Sequence, residues 1–279
     1  MIQLDFVIIG AEKSGTTLLV DRLRRSPHVT MPANEVRYFR DPFFPKRERP
    51  DLYFSEGDAD KLNGIKHPSY LGRPEVPQRI KAHSPNAKLI AILRNPIDRT
   101  IASYLHYLRH GQIPCIHPNV GIPIMFENPD ASPKYRDIIA FGDYAHYLGL
   151  YLKCFPREQI LVLEFETLTR SSKESHLLFD FLDLPVTNEL CPLEPINRGT
   201  YDWGECRRLN DEALCKFVYD GQRNIIGIHE PTLPPLGKRD YASQPVEIDE
   251  HIRELIGKYY EQQASMLISA GLLTPTQWN

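Results

Sequence analysis

A chain of 279 residues, 42% hydrophobic and 25% charged, can bury a substantial core and fits one large α/β domain over residues 1–279. The formal net charge of −3 argues against a surface built for polyanions, nucleic acid included, and points to a small neutral or cationic partner. No apolar run approaches the length of a membrane span, and a first strand starting at residue 4 leaves no room for a leader.

The run Leu4–Ile9 is apolar and β-branched and reads as a buried first strand. It runs into Gly10-Ala11-Glu12-Lys13-Ser14-Gly15-Thr16-Thr17, and an amphipathic helix follows to about Arg25, where Ser26-Pro27 stops it. A strand–loop–helix junction of small residues turns backbone N–H groups and the positive end of a helix toward an anion. Lys13 adds a cation there, and Thr16 and Thr17 add hydroxyl donors, so the junction reads as a phosphate cradle. It is not the nucleoside-triphosphatase loop, in which a lysine directly precedes the magnesium-binding hydroxyl. In this chain the lysine comes before the second glycine.

A short extended piece covers 64–66, and a helix around 75–83 precedes a second buried strand, Lys88–Leu93. Arg94-Asn95-Pro96 follows, then a helix from about 98 to 108. Residues 111–135 hold five prolines and read as a long irregular connection. A helix over 137–154, a strand over 160–164 and helices over 172–182 and 249–270 complete the chain. Strands separated by helices predict a central, mainly parallel sheet flanked by helices. The five cysteines, Cys115, Cys154, Cys191, Cys206 and Cys215, show no C-x-x-C pairing or zinc spacing and fit reduced thiols in a cytoplasm.

Three segments together resemble sulfotransferases that use 3′-phosphoadenosine 5′-phosphosulfate (PAPS). Gly10-x-x-Lys13-Ser14-Gly15-Thr16-Thr17 resembles their 5′-phosphosulfate loop. Arg94 matches the arginine that holds the 3′-phosphate. The serine that accompanies it in the family falls on Ala102 by ungapped counting, with Ser103 beside it. A one-residue offset turns a helical side chain by about 100°. Asn197-Arg198-Gly199-Thr200-Tyr201-Asp202-Trp203 looks like the R-K-G-x-x-G-D-W loop over the 3′-phosphate. Arg198 and Gly199 carry over, Asn197 stands where the family has arginine, and the second glycine is missing.

The resemblance implies a P-loop-like sulfotransferase fold, PAPS as co-substrate and no metal. The donor residues are then Lys13, Ser14, Gly15, Thr16, Thr17, Arg94, Ser103, Arg198 and Gly199. Lys13 would face the leaving 5′-phosphate. Lys66, in Gly64-Ile65-Lys66-His67-Pro68-Ser69-Tyr70, matches the lysine of the heparan-type K-T-P-x-Y segment and would face the transferring sulfonate. Asn34-Glu35-Val36-Arg37-Tyr38-Phe39 resembles the K-E-x-x-F-F segment, whose glutamate deprotonates the acceptor. Glu35 is therefore the first candidate for the general base. His67 is the second, because cytosolic sulfotransferases use a histidine close by. The implied activity is sulfuryl transfer from PAPS to a hydroxyl or amine of a small acceptor, with natural-product tailoring as its setting. A P-loop kinase or other phosphotransferase and a heparan-like glycan sulfotransferase are the alternatives.

Overall fold

The computed structural model describes residues 3–45, 53–54, 60–170, 172–185, 201–219, 225–228, 241–273 and 278. They form two compact units. The first comprises Met1–Asn95, Asp143–Ile196 and Gln262–Asn279, and the second Pro96–Gly142 and Asn197–Glu261.

The first unit is built on five parallel strands: β1 (Phe6–Gly10), β2 (Val29–Thr30), β3 (Leu62–Lys66), β4 (Lys88–Leu93) and β5 (Ile160–Glu164). Their order across the sheet is β2-β3-β1-β4-β5. Side chains of a strand alternate between faces, and β1 divides accordingly. Val7 and Ile9 join one core, Phe6 and Ile8 the other. β4 does the same, with Leu89, Ala91 and Leu93 on the first face and Ile90 and Ile92 on the second. A parallel sheet covered on both sides requires such continuous apolar strands.

Helix α1 (Thr16–Arg24) covers the second face through Leu19, Val20 and Leu23. Helix α2 (Val76–His83) covers the first through Val76 and Ile80. Of the strands read from sequence, Lys88–Leu93 and Ile160–Glu164 form with the expected bounds.

The second unit opens with α3 (Pro96–Arg109). Residues 111–135 are a correction to the sequence reading: α4 (Pro118–Glu127) forms inside them, and α5 starts at Pro133. The prolines mark starts rather than irregular chain, because Pro118 and Pro133 occupy first-turn positions where no intrahelical N–H is needed. His117 and Ser132 cap the two helices through their side chains.

The helix expected over 137–154 is two, α5 (Pro133–Ala140) and α6 (Tyr144–Leu152), the latter in the first unit. Between them lies Gly142, where a Cβ would stand 2.7 Å from the Tyr260 hydroxyl and 2.8 Å from Arg99 Nη2. Buried Arg99 donates to the carbonyl of Ile138, and Tyr260 donates to that of Ile139 at 2.6 Å. The open carbonyls of the last α5 turn are satisfied in this way.

Two further helices, α7 (Phe165–Arg170) and α8 (Lys173–Phe181), follow β5 in the first unit. In the second unit, α9 (Trp203–Lys216) leads into the antiparallel pair β6 (Phe217–Tyr219) and β7 (Ile225–Ile228). The last helix expected, over 249–270, is also two: α10 (Glu250–Tyr259) and α11 (Gln263–Ser269).

Candidate active site

The first unit brings most of the candidate residues to the ends of β1, β3 and β4. Residues 11–15 leave β1 in a tight loop that carries positive φ at Lys13 (63°) and at Gly15 (84°), the residue before α1. Helix α1 has no side-chain cap and no acid in its first turn. The N–H groups of Thr16 and Thr17 therefore lack intrahelical acceptors. Ser14 is fully buried, and its Oγ has no hydrogen-bond partner among the described residues. A buried hydroxyl without a partner costs free energy, and this one sits in the loop that the sequence marks as an anion cradle. The residues present thus fit the phosphosulfate end of PAPS.

At the end of β4, Arg94 Nη1 is 3.5 Å from the Lys13 carbonyl. Its guanidinium lies 5.2 Å from the centre of the Phe165 ring, and it makes no ion pair among the described residues. The neighbouring Asn95 N–H donates to Glu166 Oε1 at 3.0 Å.

The segment after β2 runs beside the end of β3, where the Val36 N–H donates to the Lys66 carbonyl at 3.1 Å. That bond sets Glu35 beside Lys66, with Nζ 2.8 Å from Oε1. Lys66 Nζ is also 3.5 Å from Thr17 Oγ1, on the first turn of α1. Thr17, Glu35 and Lys66 line one cleft together with Asp21, Arg24 and Asn34. Tyr70 anchors the far side of this segment: its hydroxyl donates to the Val36 carbonyl and accepts from the Phe39 N–H.

His67 is buried behind the pair, its Nε2 4.0 Å from Glu35 Oε2. Nδ1 accepts the Ser69 N–H at 3.2 Å. Arg40 Nη1, which can only donate, lies 3.4 Å from Nε2, so both ring nitrogens have a donor beside them. Burial holds the imidazole down to a pKa of about 2, with Arg40, Arg37, Lys66 and Arg73 adding to the effect. Arg40 also donates to Ser69 Oγ at 3.0 Å.

Lys13, Ser14, Gly15, Thr16, Thr17, Glu35, Lys66, His67 and Arg94 therefore all belong to the first unit. Ser103 is fully buried in α3 of the second unit, and its neighbour Ala102 is nearly so. Arg198 and Gly199 lie outside the described residues. Trp203 is a packing residue of the second unit, its ring centre 5.0 Å from that of His117. Phe165, which joins Arg94 to the cradle, escaped sequence reading, because that role depends on a contact between segments far apart in the chain.

A five-stranded parallel sheet with a tight, uncapped loop at the end of β1 defines an α/β protein of the phosphate-loop type. The family model for the sulfotransferase domain matches residues 3–196. The chain belongs to the PAPS-dependent sulfotransferase family.

Among curated relatives, the bifunctional heparan sulfate N-deacetylase/N-sulfotransferase 1 of Caenorhabditis elegans is 27% identical over 229 residues, covering 78% of this chain and 26% of that protein. The human heparan sulfate glucosamine 3-O-sulfotransferase 6 is 30% identical over 183 residues, covering 64% of this chain and 52% of the relative. The chain spans about half the length, or less, of these relatives.

The solved sulfotransferase from Alicyclobacillus acidocaldarius shares the fold, with a TM-score of 0.67 at 21% identity over 100% of this chain and 99% of the other. The sulfotransferase domain from the curacin biosynthetic pathway superposes with a TM-score of 0.52 at 14% identity, covering 93% of this chain and 98% of that one.

Proposed function

We propose that the chain as a whole transfers a sulfuryl group from PAPS to a hydroxyl or amine of a small acceptor. The observation that carries this reading is the Lys66–Glu35 pair, 2.8 Å apart in a cleft that also holds Thr17 of the cradle helix. The pair supports assigning a base and a cation to one reacting centre.

The donor, when bound, supplies an activated sulfuryl group whose bridging oxygen leaves with the 5′-phosphate. Lys13 and the N–H groups of the α1 start oppose the charge that grows on this phosphate. Lys66 faces the sulfuryl oxygens. Glu35 takes the acceptor proton as the acceptor oxygen or nitrogen bonds to sulfur. His67 is the poorer base, because burial and the cations around it depress its affinity for a proton. Arg94 is assigned to the 3′-phosphate; for Ser103, Arg198 and Gly199 that role stands on the sequence resemblance alone. The cysteine usage supports a reducing, cytoplasmic setting.

The net charge of −3 supports a neutral or cationic small molecule as acceptor, and the curacin-pathway neighbour supports natural-product tailoring as the setting. A glycan acceptor is the second reading, supported by the heparan sulfate enzymes among the relatives. A screen of phenols, amines, amino sugars and heparan fragments with PAPS, read by mass spectrometry for an added sulfonate, tests both. A sulfonated heparan fragment alone favours the glycan. Phosphoryl transfer from ATP without any sulfonation overturns the reading.

A further inference from the structure

Arg94 is held by an aromatic ring in a place where proteins commonly use a carboxylate. The Phe165 ring is wedged between the cradle and Arg94. Arg94 lies 5.2 Å from its centre, and a Cβ on Gly15 would stand 2.7 Å from its Cδ2 and Cε2. Two acids, Glu164 and Glu166, flank the ring in sequence, and the carboxylate of Glu166, which reaches the residue next to Arg94, is taken. Oε1 accepts the Asn95 N–H at 3.0 Å, and Oε2 lies 3.4 Å from Trp278 Nε1. A salt bridge would fix the guanidinium but neutralise it; a ring fixes it and leaves the charge for a ligand.

We infer that Phe165 is a positioning residue that sets the donor site's preference for a 3′-phosphorylated nucleotide by holding Arg94 in place un-neutralised. The inference rests on the assignment of Arg94 to the 3′-phosphate. Gly15 belongs to the same device, since a side chain there would displace the ring. Phe165 would act on discrimination between nucleotides rather than on the phosphosulfate end common to all of them.

The test is calorimetric binding of adenosine 3′,5′-bisphosphate and of adenosine 5′-phosphosulfate, which lacks the 3′-phosphate. Proteins compared are the unmodified chain, Phe165→Leu, Phe165→Tyr, Arg94→Ala and the double variant Phe165→Leu/Arg94→Ala. Phe165→Leu is expected to weaken the bisphosphate by roughly two- to fivefold, the worth of an exposed cation–ring contact, and to leave the phosphosulfate unchanged. Phe165→Tyr keeps a ring and should restore the preference. With Arg94 already removed, Phe165→Leu should do nothing further, because residues that act through one another are not additive.

An unchanged preference in Phe165→Leu, or equal losses for both ligands, overturns the role of Phe165. Additive losses in the double variant overturn it as well. An Arg94→Ala protein that keeps its preference instead overturns the assignment of Arg94 itself. Should Phe165→Leu fail to fold, Phe165→Met and Phe165→Tyr carry the same comparison, with methionine expected to lose the preference and tyrosine to keep it.

Discussion

The two sides of the cleft handle charge in opposite ways. On the cradle side, charge and donors are left open: the Ser14 Oγ lacks a partner, the α1 start is uncapped, and Arg94 leans on a ring. On the β3 side, charge is cancelled in place, with Lys66 on Glu35 and a neutral His67 behind them. The open side is pre-organised for an anion and has little to rearrange when one arrives. Lys66 has three N–H donors, of which Glu35 and Thr17 engage two, so the paired side keeps a donor for a further oxygen.

Four measurements can break or sharpen this contrast. The largest effect belongs to Glu35→Gln, which keeps the size of the side chain but cannot take a proton. Turnover with the true acceptor is expected to fall by about 10²–10⁴, while calorimetric affinity for adenosine 3′,5′-bisphosphate stays close to normal. Retained turnover, with loss in His67→Ala instead, would move the base to His67.

On the open side, Arg94→Ala removes a charge-assisted contact of about 1.5–3 kcal/mol. Bisphosphate binding should weaken tenfold or more, and adenosine 5′-phosphosulfate much less.

Next comes Gly15→Ala, which forces a side chain into a left-handed conformation at a cost of about 1–2 kcal/mol and against the Phe165 ring. Its unfolding midpoint should drop, and added bisphosphate should recover less stability than in the parent. An unchanged midpoint would mean that the ring moves aside freely.

The smallest effect is the pH response of His67. Unfolded, the ring protonates near 6.5; folded, only near 2. Below about pH 6.5 the unfolded state therefore binds the extra proton, and stability falls as pH drops, by up to about 1.4 kcal/mol per unit. In His67→Asn this slope should disappear from urea midpoints measured between pH 7 and pH 5. A slope equal to that of the parent would show the imidazole to be solvated.

β1, β4, β5 and the loop after β1 were legible in the sequence because they rest on local patterns, whereas β2, β6 and β7 were not read from it. β4 and β5 are uninterrupted apolar runs, and the order of glycine, lysine and threonine in residues 10–17 is a contiguous signal. The segment 111–135 misled because its prolines read as breakers, although two of them open helices. The breaks at 141–143 and 260–262 were invisible because apolar periodicity continues across them. What stops α5 is a distant pair, Arg99 and Tyr260, closing on its last carbonyls. Glu35 and Lys66 were named separately, but their pairing depends on a bond between Val36 and Lys66, 30 positions apart, which no local pattern reports.

Gly10 carries a consequence for anyone who would remodel this protein. Its φ is 149°, and a Cβ there would stand 2.7 Å from the Pro68 carbonyl. The Leu71 N–H donates to the Ile9 carbonyl at 2.7 Å, and the His67 N–H to that of Ile8 at 3.2 Å. The chain leaving β1 toward the cradle and the chain leaving β3 toward His67 are thus fastened at one crossing with no slack. The two cannot be exchanged as independent cassettes. A loop transplanted from another scaffold at residues 67–71 would retune nucleotide grip along with acceptor choice, and libraries aimed at new acceptors are better confined to the cleft-lining positions of α1 and residues 31–34.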